Sequence, residues 1–161
     1  MLNELLTAAF QKKNLPPRLP LATALVLRTA QAIKKMFPTV RSLYLVGSRL
    51  RHKYGRDLEF VAEVGRLEDM PGRNVIGLKF GTLKVDLFFS LPDEVDTHIL
   101  EFGLGRDIMR WKRVAIRKGL KLNRFGLWKG SMRVTTSMRK IAAILGLPLK
   151  PHLVFSRQNP L

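Results

Sequence analysis

Asp57 and Glu59, in Gly55-Arg56-Asp57-Leu58-Glu59-Phe60, stand two residues apart in a segment whose alternation predicts a strand. Their carboxylates then point to one side while Leu58 and Phe60 turn into a core. Asp86, in Lys84-Val85-Asp86-Leu87-Phe88-Phe89, sits likewise between inward-facing Val85 and Leu87. If the two strands are neighbours, three carboxylates converge. Hard oxygen donors with no histidine or cysteine close by suit Mg2+ or Mn2+ and not zinc. Two such ions about 3.5–4 Å apart can deprotonate an attacking hydroxyl and shield the leaving oxygen of an in-line phosphoryl displacement. The bland alternative for the D-x-E pair is a solvated strand face, so its surroundings have to decide.

Just upstream, Gly47-Ser48 ends one predicted strand and opens a basic turn with Arg49, Arg51, His52 and Lys53. Glycine allows close backbone approach, and exposed amides with the Ser48 hydroxyl can bond phosphate oxygens. Arg51 adds a charged fork. As structure alone, Gly47 could be a tight turn and Ser48 a helix cap.

The elements that must position these residues follow from pattern. A short helix over Leu2–Lys13 stops at the proline-rich run 14–20, and an amphipathic helix covers Leu21–Met36. Strands are predicted over Val40–Val46, Leu58–Val64, Val75–Phe80 and Leu83–Phe89. Helices follow from Asp93 to about Glu101 and over Arg106–Lys118, the latter ending at Gly119. Short strands near Lys121–Asn123, Leu127–Lys129 and Met132–Val134 come next. A last helix, Ser137–Leu145, stops at Gly146 with Pro148 and Pro151 behind it. Gly103-Leu104-Gly105 reads as a turn. The class is α+β: a small sheet with flanking helices, then a second lobe of helices and short strands.

Charge narrows the partners. The 161 residues carry 29 Lys and Arg against 12 Asp and Glu, a net +17 that calls for a polyanion. Residues 1–56 hold 11 basic groups and one acid, 57–107 hold 5 and 11, and 108–161 hold 13 and none. A protein that merely coats DNA gains nothing from a carboxylate-rich middle, whereas a metal-dependent enzyme acting on polyanions needs both signs. With no cysteine, a disulfide scaffold, a thiolate metal site and a cysteine nucleophile are excluded. His52, His98 and His152 are too far apart in sequence for a local metal motif. No targeting signal and no membrane-spanning stretch is expected. Trp111, Phe125 and Trp128 could stack on bases, although core packing is the commoner use of such residues.

Gly47-Ser48-Arg49-Leu50-Arg51 leading to Asp57-Leu58-Glu59 resembles the nucleotidyltransferase signature of the DNA polymerase beta superfamily. The stretch from Arg117 to Leu127, with Lys118-Gly119-Leu120-Lys121-Leu122-Asn123, is similar to the thumb of family X DNA polymerases, as is Leu145-Gly146-Leu147-Pro148. The resemblance implies a nucleotidyltransferase palm over 1–103 and a small α+β thumb over 104–161. Asp57, Glu59 and Asp86 would bind two Mg2+ ions (or Mn2+), and Gly47, Ser48 and Arg51 would hold the incoming triphosphate. Arg110, Lys112, Arg113, Lys118, Lys121 and Arg124 would contact DNA. Glu59 stands where the family has a second Asp, and Leu100-Glu101-Phe102-Gly103 only echoes its Y-F-T-G motif.

The implied activity is template-directed addition of dNTPs to a primer 3′-hydroxyl on gapped or primer–template DNA, in short-gap repair, by a monomer. About 17 residues precede the resemblance, too few for the family's lyase or fingers domains. The minimal form is known from a viral family X enzyme, so a virus-encoded, intracellular protein is one expectation. The alternatives are a non-templated nucleotidyltransferase acting on an RNA end, a protein or a small molecule, and a binding module with a dead site.

Overall fold

A computed structural model describes residues 20–47, 57–72, 74–81 and 83–161. The helix expected over Leu2–Lys13 lies outside them. Helix α1 (Pro20–Met36) starts on a proline, whose missing N–H costs nothing at a helix start, and buries Val26, Ala30 and Ile33 at steps of three and four. Strands β1 (Val40–Val46), β2 (Asp57–Val64), β3 (Val75–Phe80) and β4 (Leu83–Ser90) form one sheet in the order β1-β2-β4-β3. β2 and β4 run parallel while the two outer pairs are antiparallel.

Alternation divides the sheet between two cores. Leu58, Phe60, Ala62 and Val64 of β2 and Val85, Leu87 and Phe89 of β4 pack with α1 on one face. Tyr44, Val46 and Val61 face the other way and join a core built from the rest of the chain. Helix α2 (Val95–Gly103) follows a 3-10 turn at Pro92–Glu94, and α3 (Asp107–Arg117) ends before Gly119 in the left-handed region at φ 73°. Strands β5 (Lys121–Asn123), β6 (Gly126–Lys129) and β7 (Met132–Thr135) make a second, antiparallel sheet. Helix α4 (Met138–Leu145) is capped by Ser137, whose Oγ accepts from the Lys140 N–H. This mixed α+β architecture, a small mixed sheet with flanking helices, is the class the sequence implies.

Two readings change. Pro148 and Pro151 do not mark the end of helical structure: Pro151 opens α5 (Pro151–Gln158), since proline is as good at a first helical position as it is bad inside. Gly103 is not in a turn but closes α2, where a Cβ would come within 2.5 Å of Leu153 Cδ2 on α5. The two helices touch because that side chain is absent.

Polar ties fix α5 to the sheet. Ser156 Oγ donates to the Leu45 carbonyl at 2.6 Å, and Leu161 and Leu43 exchange backbone hydrogen bonds of 2.8 and 3.2 Å. Leu161 thereby covers the outer edge of β1 at Leu43. Asp96 joins three helices: it accepts from Arg157 Nε (2.7 Å) and from the N–H of Met138 at the start of α4 (3.0 Å), while Arg157 also donates to the Tyr44 hydroxyl at 3.1 Å. Burial raises the Tyr44 hydroxyl above its ordinary value, against the opposing pull of Arg157. Replacing Asp96 with Ala removes two charge-assisted bonds and strands a helix N–H. It should cost about 2 kcal/mol, or roughly 4–8 °C in Tm; a melt that matches the wild type would show the network to be dispensable.

His98 of α2 is buried, its Nδ1 donating to the Glu94 carbonyl at 2.9 Å with Ser90 Oγ at 3.2 Å. Burial holds its pKa below the ordinary histidine value, the Glu94 carbonyl only partly offsetting this. The unfolded chain therefore binds this proton more readily than the native state does. The contribution to stability is complete above about pH 6.5 and is lost as pH falls through the folded value. Denaturant midpoints should drop from pH 7 to 5 and drop less in His98→Asn; equal drops would clear the histidine. Among the described residues no helix is long and apolar enough to cross a membrane.

Candidate functional site

The parallel register of β2 and β4 sets Glu59 directly beside Asp86, and Asp57 beside Lys84. On the outer pairs Val46 stands opposite Glu59, and Gly77 opposite Asp86. One row across this face therefore reads Val46, Glu59, Asp86, Gly77, and the row toward the protein's interior reads Tyr44, Val61, Phe88, Val75. Adjacent strands lie about 4.8 Å apart and residues i and i+2 about 6.7 Å apart, so the three carboxylates spring from points within side-chain reach of one another. Leu58, Phe60, Val85 and Leu87 between them are fully buried on the opposite face, which pins the acids outward.

The acids stand where this face leaves its own core. Val46 and Val61 are buried under α2, and Phe88 packs against them, its ring stacked on Phe102 at 3.6 Å and 9°. One step further along the strands Glu59 and Asp86 are half-buried, and Asp57 is exposed. Their donor chemistry, three carboxylates, fits a hard divalent cation. The backbone places them side by side, yet among the described residues no three His, Asp or Glu side chains are drawn together closely enough to hold an ion as they stand.

Gly47, at the end of β1, explains how Glu59 fits. Its φ of 79° lies in the left-handed region, and a Cβ there would overlap Glu59 Oε2 and come within 2.8 Å of Cδ. Its N–H donates to the Phe102 carbonyl at 3.1 Å, tying the turn to the end of α2. The glycine that the sequence suggested for phosphate approach is thus also the space the Glu59 carboxylate occupies. Ser48 and Arg51, and with them His52, lie outside the described residues.

Of the basic residues suggested for nucleic acid, Arg110, Arg113, Lys118 and Lys121 are exposed. Arg124 is half-buried with its guanidinium over the Phe125 ring, 5.2 Å from the centroid. Lys112 differs: it is half-buried and its Nζ lies 2.6 Å from Glu101 Oε1. Two arginines escaped the sequence reading. Arg106 at the N-cap of α3 and Arg110, Arg113 and Arg117 within it follow steps of four, three and four, which sets them along one side, all exposed and without an ion pair among the described residues. The spacing itself was the available signal. Trp111 is core, and Trp128 Nε1 donates to Asn123 Oδ1 at 3.1 Å. Lys84 and Lys79, register partners beside Asp57, were also missed.

No protein-family model matches the chain, and no curated protein matches it. Solved structures do. Polymerase beta of Leishmania infantum in a ternary P/T complex superposes with a TM-score of 0.63 at 15% identity, over 91% of this chain and 78% of that one. The same protein in a ternary gap complex gives the same score and identity over 91% and 72%. The chain has a polymerase beta-like fold.

Proposed function

We propose that the chain is a nucleotidyltransferase of the polymerase beta type that extends a primer 3′-hydroxyl with dNTPs on gapped or primer–template DNA. The observation that carries this reading is the register of Glu59 beside Asp86, with Asp57 two residues along the same face, at the margin of a polymerase beta-like sheet. Asp57, Glu59 and Asp86 would hold two Mg2+ or Mn2+ ions. Such ions, when bound, lower the pKa of the attacking hydroxyl and neutralise charge on the transferred phosphoryl group. The carboxylates themselves orient and hold; like charges gathered this closely need a cation between them, so gathering and ion binding would be one event. Gly47, with Ser48 and Arg51, would receive the triphosphate.

Arg110, Arg113, Lys118, Lys121 and Arg124 would hold DNA by charge, in a chain whose segments on either side of the carboxylates are strongly basic. Five phosphate contacts predict a slope of log K against log salt near −4.5. Affinity for a gapped duplex should then fall roughly 10²–10³-fold between 50 and 200 mM salt. Fluorescence anisotropy on a labelled gapped duplex measures it, alongside primer extension with Mg2+ or Mn2+ before and after a chelator. Weak, salt-indifferent binding or extension that survives the chelator would sink the proposal.

A further inference from the structure

We propose that Glu101 and Lys112 form a latch that sets α3 on the catalytic half of the protein, and that Lys112 acts through Glu101 and not on nucleic acid. The inference rests on the nucleotidyltransferase reading for its consequence but not for its geometry. Lys112 Nζ meets Glu101 Oε1 at 2.6 Å, with the two side chains only 29% and 21% exposed. Glu101 Oε2 is buried and has no hydrogen-bond partner among the described residues. A buried acceptor left unmade is unfavourable, and the Lys112 ammonium on the other oxygen is the contact that offsets it.

Position gives the pair its leverage. Glu101 precedes Phe102, whose carbonyl accepts the Gly47 N–H and whose ring stacks on Phe88, two residues beyond Asp86 on β4. The last turn of α2 is thereby fixed to the turn after β1 and to the strand bearing a proposed metal ligand. Only Leu104, Gly105 and Arg106 separate it from α3, and Gly105 is in the left-handed region at φ 59°. Ile108, Trp111 and Ala115 seat α3 on the core, Lys150 pairs with Asp107 at its start, and Lys112 on Glu101 adds the polar tie between α3 and the last turn of α2.

The exposed line of Arg106, Arg110, Arg113 and Arg117 lies about a third of a turn from Lys112. The guanidiniums of Arg110, Arg113 and Arg117 move together with α3, and Arg106 stands at its N-cap. The pair thus ties the helix that carries this line to the last turn of α2, beside the Gly47–Phe102 contact. Lys112 is a positioning residue in this account, and Glu101 its partner.

The test compares Glu101→Gln, Lys112→Gln, the double variant and the charge-swapped Glu101→Lys/Lys112→Glu, after circular dichroism has shown each to be folded. Amide hydrogen exchange should rise at least tenfold over residues 107–112 in both single variants, no further in the double variant, and return toward wild type in the swap, with α1 and β2 unchanged. Primer extension should show kcat/KM down about tenfold in both singles while the salt slope of DNA binding stays as in the wild type. A direct phosphate contact by Lys112 would look different. Lys112→Gln alone would weaken DNA binding and flatten the slope by about 0.9, with Glu101→Gln neutral, and that outcome overturns the latch. If the wild type shows no transfer at all, the functional reading falls, and the exchange data still decide the latch.

Discussion

Asp86→Asn is expected to lower nucleotide transfer by 10³-fold or more while DNA affinity holds or improves. The substitution keeps the shape of the side chain and removes one negative charge from a row in which Glu59 is its immediate neighbour. A carboxylate that helps bind an ion stabilising several kcal/mol of transition-state charge is worth about three powers of ten at 1.36 kcal/mol each. Removing an anion beside phosphates cannot weaken their binding by charge, so the two readouts should part. Asp57→Ala is expected to behave alike, losing turnover with DNA binding kept or tightened. Single-turnover extension and anisotropy on one gapped duplex measure both. A variant that retains turnover would favour a binding module whose carboxylates are idle, and one that loses both together would point to misfolding.

Gly47→Ala should be nearly as damaging for a different reason. A non-glycine residue in the left-handed region costs about 1–2 kcal/mol, and its Cβ would overlap the Glu59 carboxylate. Either the turn or Glu59 must give way. A displacement of about 1 Å in a positioning group costs on the order of 10²-fold in rate, so kcat/KM is expected to fall by 10²–10³ with a loss of roughly 2 kcal/mol in stability. Gly77→Ala is the matched comparison, because a Cβ there would stand 3.5 Å from Asp86 Oδ1, an ordinary contact. Its effect should stay under tenfold. Equal losses from the two glycines would remove the special status of Gly47.

The local parts of this site could be read from residue order, since each depends on a period of two. Asp57 and Glu59 are thrown to one side because Leu58 and Phe60 are buried, and Asp86 because Val85 and Leu87 are. Nothing local says that β2 and β4 are parallel neighbours with Glu59 opposite Asp86, because register is decided by which faces the rest of the chain covers. Gly47 was legible as a turn, but not as the space for Glu59, which lies twelve residues on and across a strand pair. Lys112 illustrates the opposite limit. On an otherwise basic helix it looks like one more phosphate ligand, and only the fold brings Glu101 to it. Helix α5 was hidden by a proline whose meaning depends on whether it begins a helix or interrupts one.

Single-nucleotide incorporation on a gapped duplex, with each of the four templating bases and Mg2+, tests the central claim most directly. The site described here predicts extension by the complementary dNTP alone for each template, lost in Asp86→Asn. No extension with any template, or extension indifferent to the templating base, would contradict it.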